Sequence, residues 1–217
     1  MSLWIKICGN TTLADAQLAV DAGADAVGFV LAPSPRQVNA EQVAEITRFL
    51  PAAVEKIGVF VDADFETIVR AVEQGGLTGV QLHFDGEGLP EQLRERFGEG
   101  LRILRVIHFG AEAAAQLQAA GRDESIDGVL IDSRTATAVG GTGIAFDWKA
   151  ARETVFKPGS QLKLIAAGGL NPVNVSEAIQ TLQPWGVDVV SGVESSPGRK
   201  DAAKVREFVQ NARSGRI

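Results

Sequence analysis

Short apolar runs alternate with amphipathic stretches along the whole chain. The runs occupy residues 4–8, 26–31, 56–61, 78–83, 101–107, 127–132, 162–167 and 186–191. Most are rich in Val, Ile or Leu, as expected of strands covered on both faces in a parallel sheet. Between them, apolar stripes at i, i+3, i+4, i+7 spacing mark helices that lay one face on a sheet. Phe65, Ile68, Val69 and Val72 form one stripe, Val175, Ala178, Ile179 and Leu182 a second, and Val205, Phe208, Val209 and Ala212 a third. Asn39 followed by Gln42 is a capping-box variant, and Asn171 before Pro172 sets a cap residue ahead of a first-turn proline. A helix over 111–120 has a weak stripe because it is mostly alanine, and the one after Phe146 is short. Strict alternation of eight strands predicts the α/β class, as a compact (β/α)8 TIM barrel forming one domain over residues 1–217. A doubly wound open sheet is the rival architecture.

Composition narrows the functional classes. The 217 residues are 45% hydrophobic and 22% charged, which is ordinary for a globular chain. A net charge of −6 disfavours nonspecific binding to nucleic acid or to an anionic membrane, while leaving room for a local basic pocket. One cysteine excludes an internal disulfide, and with two histidines it makes a structural zinc or other metal site unexpected. Lys6 and Asn10 interrupt the only early apolar run, so no secretory leader is expected. No run reaches the roughly 18 apolar residues of a membrane span. A cytoplasmic domain, monomeric or homodimeric, is the expectation.

In a barrel of this kind the chemistry gathers where the strands end. Alternation along the first strand puts Trp4, Lys6 and Cys8 on one face and Ile5 and Ile7 on the other. The Lys6 face suits the interior, and Cys8 then reaches the mouth. There a nearby ammonium is expected to lower the thiol pKa. Asp132 closes the sixth strand, either capping the next loop or serving as a general acid. Glycine-rich segments follow the last three barrel strands: Gly140 to Gly143 with Gly141, Thr142 and Gly143, then Gly168-Gly169, then Ser191-Gly192. Backbone N–H groups of such loops approach an anion closely, so together they predict a phosphate grip. The loop over 133–145 is long enough to double as a lid. Arg36, in a proline-stiffened loop, is either a solvated arginine or a clamp for a substrate carboxylate. His83 is read as a satisfied rim group and His108 as structural, without a companion. Lys6 and Asp188 lie in strands that meet when a barrel closes, so they are expected to form a buried pair.

Several segments, in order, resemble the phosphoribosylanthranilate isomerases of tryptophan biosynthesis. They are KICG at 6–9, AGADAVGF at 22–29, SPR at 34–36, GVFV at 58–61, VQLH at 80–83 and LID at 130–132. GGTG at 140–143, FDW at 146–148, AGGLNP at 167–172, NV at 174–175, VDVVSGVE at 187–194 and PG at 197–198 complete them. The resemblance implies an Amadori rearrangement of N-(5-phosphoribosyl)anthranilate to 1-(2-carboxyphenylamino)-1-deoxyribulose 5-phosphate, with no metal or organic cofactor. It implies Cys8 as general base, Asp132 as general acid, Arg36 at the anthranilate end, and the glycine loops on the phosphate. Two segments depart from the family pattern: FDGE at 84–87, and Arg105 on the barrel wall where a lysine is common. A non-catalytic barrel binding a phosphorylated ligand, or another phosphoribosyl-handling barrel enzyme, are the alternative readings.

Overall fold

The structure, a computed structural model, describes residues 3–84, 86, 88–133, 147–157 and 162–215. Eight parallel strands close into a ring in sequence order, which excludes the open sheet. They are β1 (Trp4–Ile7), β2 (Ala26–Val30), β3 (Glu55–Phe60), β4 (Gly79–Leu82), β5 (Arg102–His108), β6 (Gly128–Asp132), β7 (Lys163–Ala166) and β8 (Gly186–Val189). The seam between β1 and β8 is in register over four residues, with Lys6 opposite Asp188. Two further short strands, β9 (Glu194–Ser196) and β10 (Arg199–Lys200), form a separate antiparallel hairpin. Among the described residues no helix is long and apolar enough to cross a membrane.

Alternation along each strand sorts the core into two layers. Trp4, Ala26, Ile57, Leu104, Val106, Leu130, Ile165 and Ala167 pack inside the ring. Ile5, Ile7, Val27, Phe29, Ile103 and Ile107 pack outward against the helices. Arg105 lies between Leu104 and Val106 in that alternation. It therefore points to the helix layer, beside Phe84, Glu91 and Asp123, and not into the barrel wall as the sequence suggested. At the end remote from the strands' C-termini, Trp4 stacks on Trp185 with ring centroids 5.3 Å apart.

The helices follow the stripes. α1 (Leu13–Asp21) and α2 (Ala40–Thr47) come first, and the Asn39–Gln42 capping box is complete, with reciprocal bonds of 2.8 and 2.9 Å. α3 (Phe65–Gly75) buries Ile68 and Val72, and α4 (Leu89–Phe97) has a proline in its first turn. α5 (Ala113–Ala120) starts two residues later than its stripe, and α6 (Trp148–Thr154) has only seven residues. α7 (Val175–Leu182) and α8 (Ala202–Ser214) bury the four apolar residues expected of each. One start differs from expectation. Asn171 and Pro172 precede α7 by a turn, and Asn174 is the residue before its first. The two asparagines bond to each other instead, Asn171 N–H to Asn174 Oδ1 at 2.8 Å and Asn174 N–H to Asn171 Oδ1 at 3.1 Å.

Candidate active site

Cys8 follows the last residue of β1, and its N–H donates to the Val189 carbonyl at 2.9 Å. The side chain is buried, at 2% exposure, and lies over Gly28 of β2. A Cβ at Gly28 would stand 2.4 Å from Cys8 Sγ, so the thiol occupies the space that any larger residue would claim. Gly28→Ala is accordingly expected to cost about 1–3 kcal/mol of stability by overpacking, and to lower turnover by displacing the sulfur. Thermal unfolding and steady-state kinetics on the same preparation check both effects.

Below the thiol, Lys6 is fully buried and donates to Asp188 Oδ1 at 2.9 Å and to Gln81 Oε1 at 2.8 Å. The expected pair is present. Burial works against the ammonium, yet Asp188 and the thiol hold its pKa above the usual lysine value. The expected lowering of the Cys8 pKa is not found. Burial pushes the thiol up by more than Lys6 and Lys200 pull it down, and Asp188 adds to the rise.

Gln81, which the sequence reading passed over, carries the Lys6 network onward. Lysine has no acceptor, so the Gln81 oxygen faces it and the amide nitrogen is left to donate. That nitrogen lies 3.0 Å from His83 Nε2, which assigns Nε2 as the acceptor nitrogen of a neutral ring. Beyond it, His108 has a companion after all, with its ring centroid 6.3 Å from that of His83. Its Nδ1 is buried and has no hydrogen-bond partner among the described residues.

Asp132, at 2% exposure, ends β6 opposite His108 on β5. Its carbonyl accepts from the Phe109 N–H at 2.9 Å. Gly168, just after β7, has φ of 76° and lies against this residue. A Cβ there would fall 2.5 Å from Asp132 Oδ1 and 2.1 Å from Ser133 Oγ. Only glycine meets both conditions. The Leu170 carbonyl oxygen comes as close to Gly192, within 1.9 Å of where a Cβ would stand, so the loops after β7 and β8 touch. Gly168, Gly169, Ser191 and Gly192 thus share one side of the mouth. Gly141, Thr142, Gly143 and the expected lid lie outside the described residues.

Arg36 reaches the site by laying its stem against Gly9, but its fork is engaged within the protein. Nε and Nη2 donate to the two carboxylate oxygens of Glu194 at 2.8 and 2.6 Å. This bidentate bond, the largest influence, holds the guanidinium pKa above the ordinary arginine value. The same contact offsets the burial of Glu194 and keeps its carboxyl below the usual range. A clamp built on Arg36 therefore has its Nη1 edge to offer, with orientation set by Glu194.

Residues 5–211 match the family model described as N-(5'phosphoribosyl)anthranilate (PRA) isomerase. An N-(5'-phosphoribosyl)anthranilate isomerase from Geobacter sp. (strain M21) is 43% identical, over 96% of this chain and 97% of that protein. Its counterpart from Oceanobacillus iheyensis is 41% identical, over 96% of each. Among solved structures, the phosphoribosyl anthranilate isomerase of Thermotoga maritima superposes with a TM-score of 0.83 at 35% identity, covering 98% of this chain and 99% of that one. Another isomerase, solved in complex with reduced 1-(o-carboxyphenylamino)-1-deoxyribulose 5-phosphate, gives 0.80 at 33% identity, with the same coverage.

Proposed function

This chain belongs to the N-(5'-phosphoribosyl)anthranilate isomerase family, and we propose that Cys8 and Asp132 are the base and the acid of its Amadori rearrangement. One observation carries the assignment. The thiol and the carboxyl stand at the mouth ends of β1 and β6, with the glycine loops after β7 and β8 between them. A sugar phosphate held by those loops meets one group on each side.

The chemistry then runs in an order that suits both environments. Asp132 protonates the ribose ring oxygen. The C1–O bond breaks, its electron pair leaves with the oxygen, and the nitrogen lone pair forms a cationic iminium. Cys8 next removes the C2 proton; that electron pair becomes the C1–C2 double bond, and the nitrogen recovers its own pair. The enolamine becomes the ketone by moving one proton from the C2 hydroxyl to C1. Cys8 takes the C2 proton as the thiolate, a form that burial disfavours, that Lys6 and Lys200 favour, and that the positive charge of the iminium favours further. The nitrogen is the electron sink.

Gly168, Gly169, Ser191 and Gly192 hold the phosphate, together with Gly141, Thr142 and Gly143. Arg36 faces the anthranilate carboxylate through Nη1. We place the enzyme in the cytoplasm, and monomer and homodimer serve equally, since the thiol, the carboxyl and the phosphate loops all come from one chain. A binding-only barrel would need neither Cys8 nor Asp132. The deciding test is loss of anthranilate fluorescence when the chain meets N-(5'-phosphoribosyl)anthranilate in the presence of a chelator. An unchanged signal would leave only binding.

Arg36→Met is expected to raise KM about ten-fold, the equivalent of ~1.4 kcal/mol, while inhibition by inorganic phosphate stays near wild type. Equal weakening of phosphate binding would remove Arg36 from the carboxylate end. The variant also leaves Glu194 without its bidentate partner, so a lower Tm is expected with it.

A further inference from the structure

The β9–β10 hairpin is not part of the barrel, yet it reaches over the β8–β1 seam to the loops that follow β1 and β2. Thr11 Oγ1 donates to the Gly198 carbonyl at 2.7 Å. Gly198 also packs on the Pro35 carbonyl, where a Cβ would leave a gap of only 3.3 Å. The Lys200 N–H donates to Asp15 Oδ1 of α1 at 3.2 Å. Pinned at these points, the hairpin aims two charged side chains inward, Glu194 at 4% side-chain exposure and Lys200 at 0%.

Among the described residues, the Lys200 ammonium has three hydrogen-bond acceptors, all near the thiol. It donates to the Cys8 carbonyl at 2.5 Å, to Glu194 Oε1 at 3.3 Å and to the Val190 carbonyl at 3.4 Å. Full burial of an ammonium is strongly unfavourable, and an apolar side chain of similar length packs such a space without that penalty. Lysine in this place supplies two things an apolar residue does not. It fixes the main chain of the residue that carries the thiol, and it puts a positive charge behind that thiol.

We propose that Lys200 is a positioning residue for the reaction: it clamps the Cys8 carbonyl and so sets the aim of the sulfur, while Glu194, shared with Arg36, couples that aim to the guanidinium. This rests on the reading of Cys8 as the base. Seen from the thiol, the charged groups are Lys6 on β1 and Asp188 on β8, Arg36 from the loop after β2, and Lys200 on β10 with Glu194 behind it. Lys6 is largely offset by Asp188 at 2.9 Å. Lys200, 3.3 Å from Glu194, is the second cation that favours the thiolate, and its removal withdraws that charge from behind the sulfur.

Cys8 is the single cysteine of the chain, so alkylation reports on one group. In full-length Lys200→Met, the pH midpoint of iodoacetamide alkylation is expected to move up by about one unit, because an opposite charge has been withdrawn. The turnover number is expected to fall about ten- to hundred-fold, less than the 10²–10⁴ carried by the base itself because the thiol remains, with inhibition by inorganic phosphate unchanged. Lys200→Gln keeps a donor for the carbonyl and loses the charge. It should recover part of kcat and leave the midpoint raised. Wild-type kcat and midpoint in Lys200→Met would overturn the proposal, as would parallel losses of kcat and phosphate affinity, which mark a general structural role. Should Lys200→Met fail to fold, Lys200→Gln decides: wild-type kcat with an unmoved midpoint overturns the proposal. Cys8→Ala separates the two levels. An active Cys8→Ala removes the base assignment itself, whereas an inactive one beside unaffected Lys200 variants removes only the positioning role.

Discussion

Replacing Cys8 by alanine is expected to lower kcat by about 10²–10⁴-fold, the range a positioned general base contributes, while inorganic phosphate inhibits as before. The methyl group leaves a small gap over Gly28 where the sulfur stood and changes nothing in the loops after β7 and β8, so phosphate binding there is expected to persist. The loss falls on one step. Asp132 still opens the ribose ring, and the iminium, with no base to take the C2 proton, is trapped by water instead. Cys8→Ala should therefore release free anthranilate faster than it forms product, which chromatography of the reaction mixture measures directly. In the wild type the sign of the pH dependence follows from the thiol. Burial holds its pKa above the ordinary value, so kcat rises with pH as the thiolate fraction grows, and this limb should vanish in the alanine variant. A wild-type rate from Cys8→Ala would end the assignment.

Asp132→Asn is expected to show a loss of similar size with a different product pattern. The amide matches the carboxyl in shape and should preserve the fit against Gly168 and Ser133, but it has no acidic proton for the ring oxygen. Ring opening itself then fails, no iminium forms, and neither ketone nor free anthranilate accumulates. The contrast between the two variants separates acid from base more cleanly than either rate does. Anthranilate release from Asp132→Asn at the level of Cys8→Ala would show that another group opens the ring.

How much of this was legible in the sequence depended on whether the signal was local. The strand-helix alternation is a period-reading problem, and the two-layer core follows from it. Trp4 and Lys6 point inward and Ile5 and Ile7 outward because side chains alternate along a strand. The Lys6–Asp188 pair was readable from ring closure and from the penalty on unpaired buried charge. The rest required distances. Lys6 beside Cys8 suggested a lowered thiol pKa, but the extent of burial, which decides the sign, has no sequence signature. Gln81 stands at an inward position of the run over 78–83, and a polar side chain at such a position is the signal by which it can be found. Glu194 and Lys200 flank the Pro197-Gly198 turn, a charged pair around a tight turn, and nothing local says that the turn folds back on residues some 190 positions earlier. Asn171-Pro172 has the form of a helix start, yet the two asparagines satisfy each other and the helix begins a turn later. His108 reads as solitary in the sequence because its companion, His83, follows the neighbouring strand and is 25 positions away in the chain.

The contact between Lys200 and the Cys8 carbonyl joins residues 192 positions apart, and it has a consequence for the order in which the molecule matures. A ribosome releases the thiol just after β1 and its anchor only after every barrel strand has emerged. A nascent chain that stops short of the hairpin carries Cys8 without the ammonium that fixes its carbonyl. On the proposed role of Lys200, the seating of the thiol is thus a late event in biosynthesis, completed once β10 docks behind Cys8.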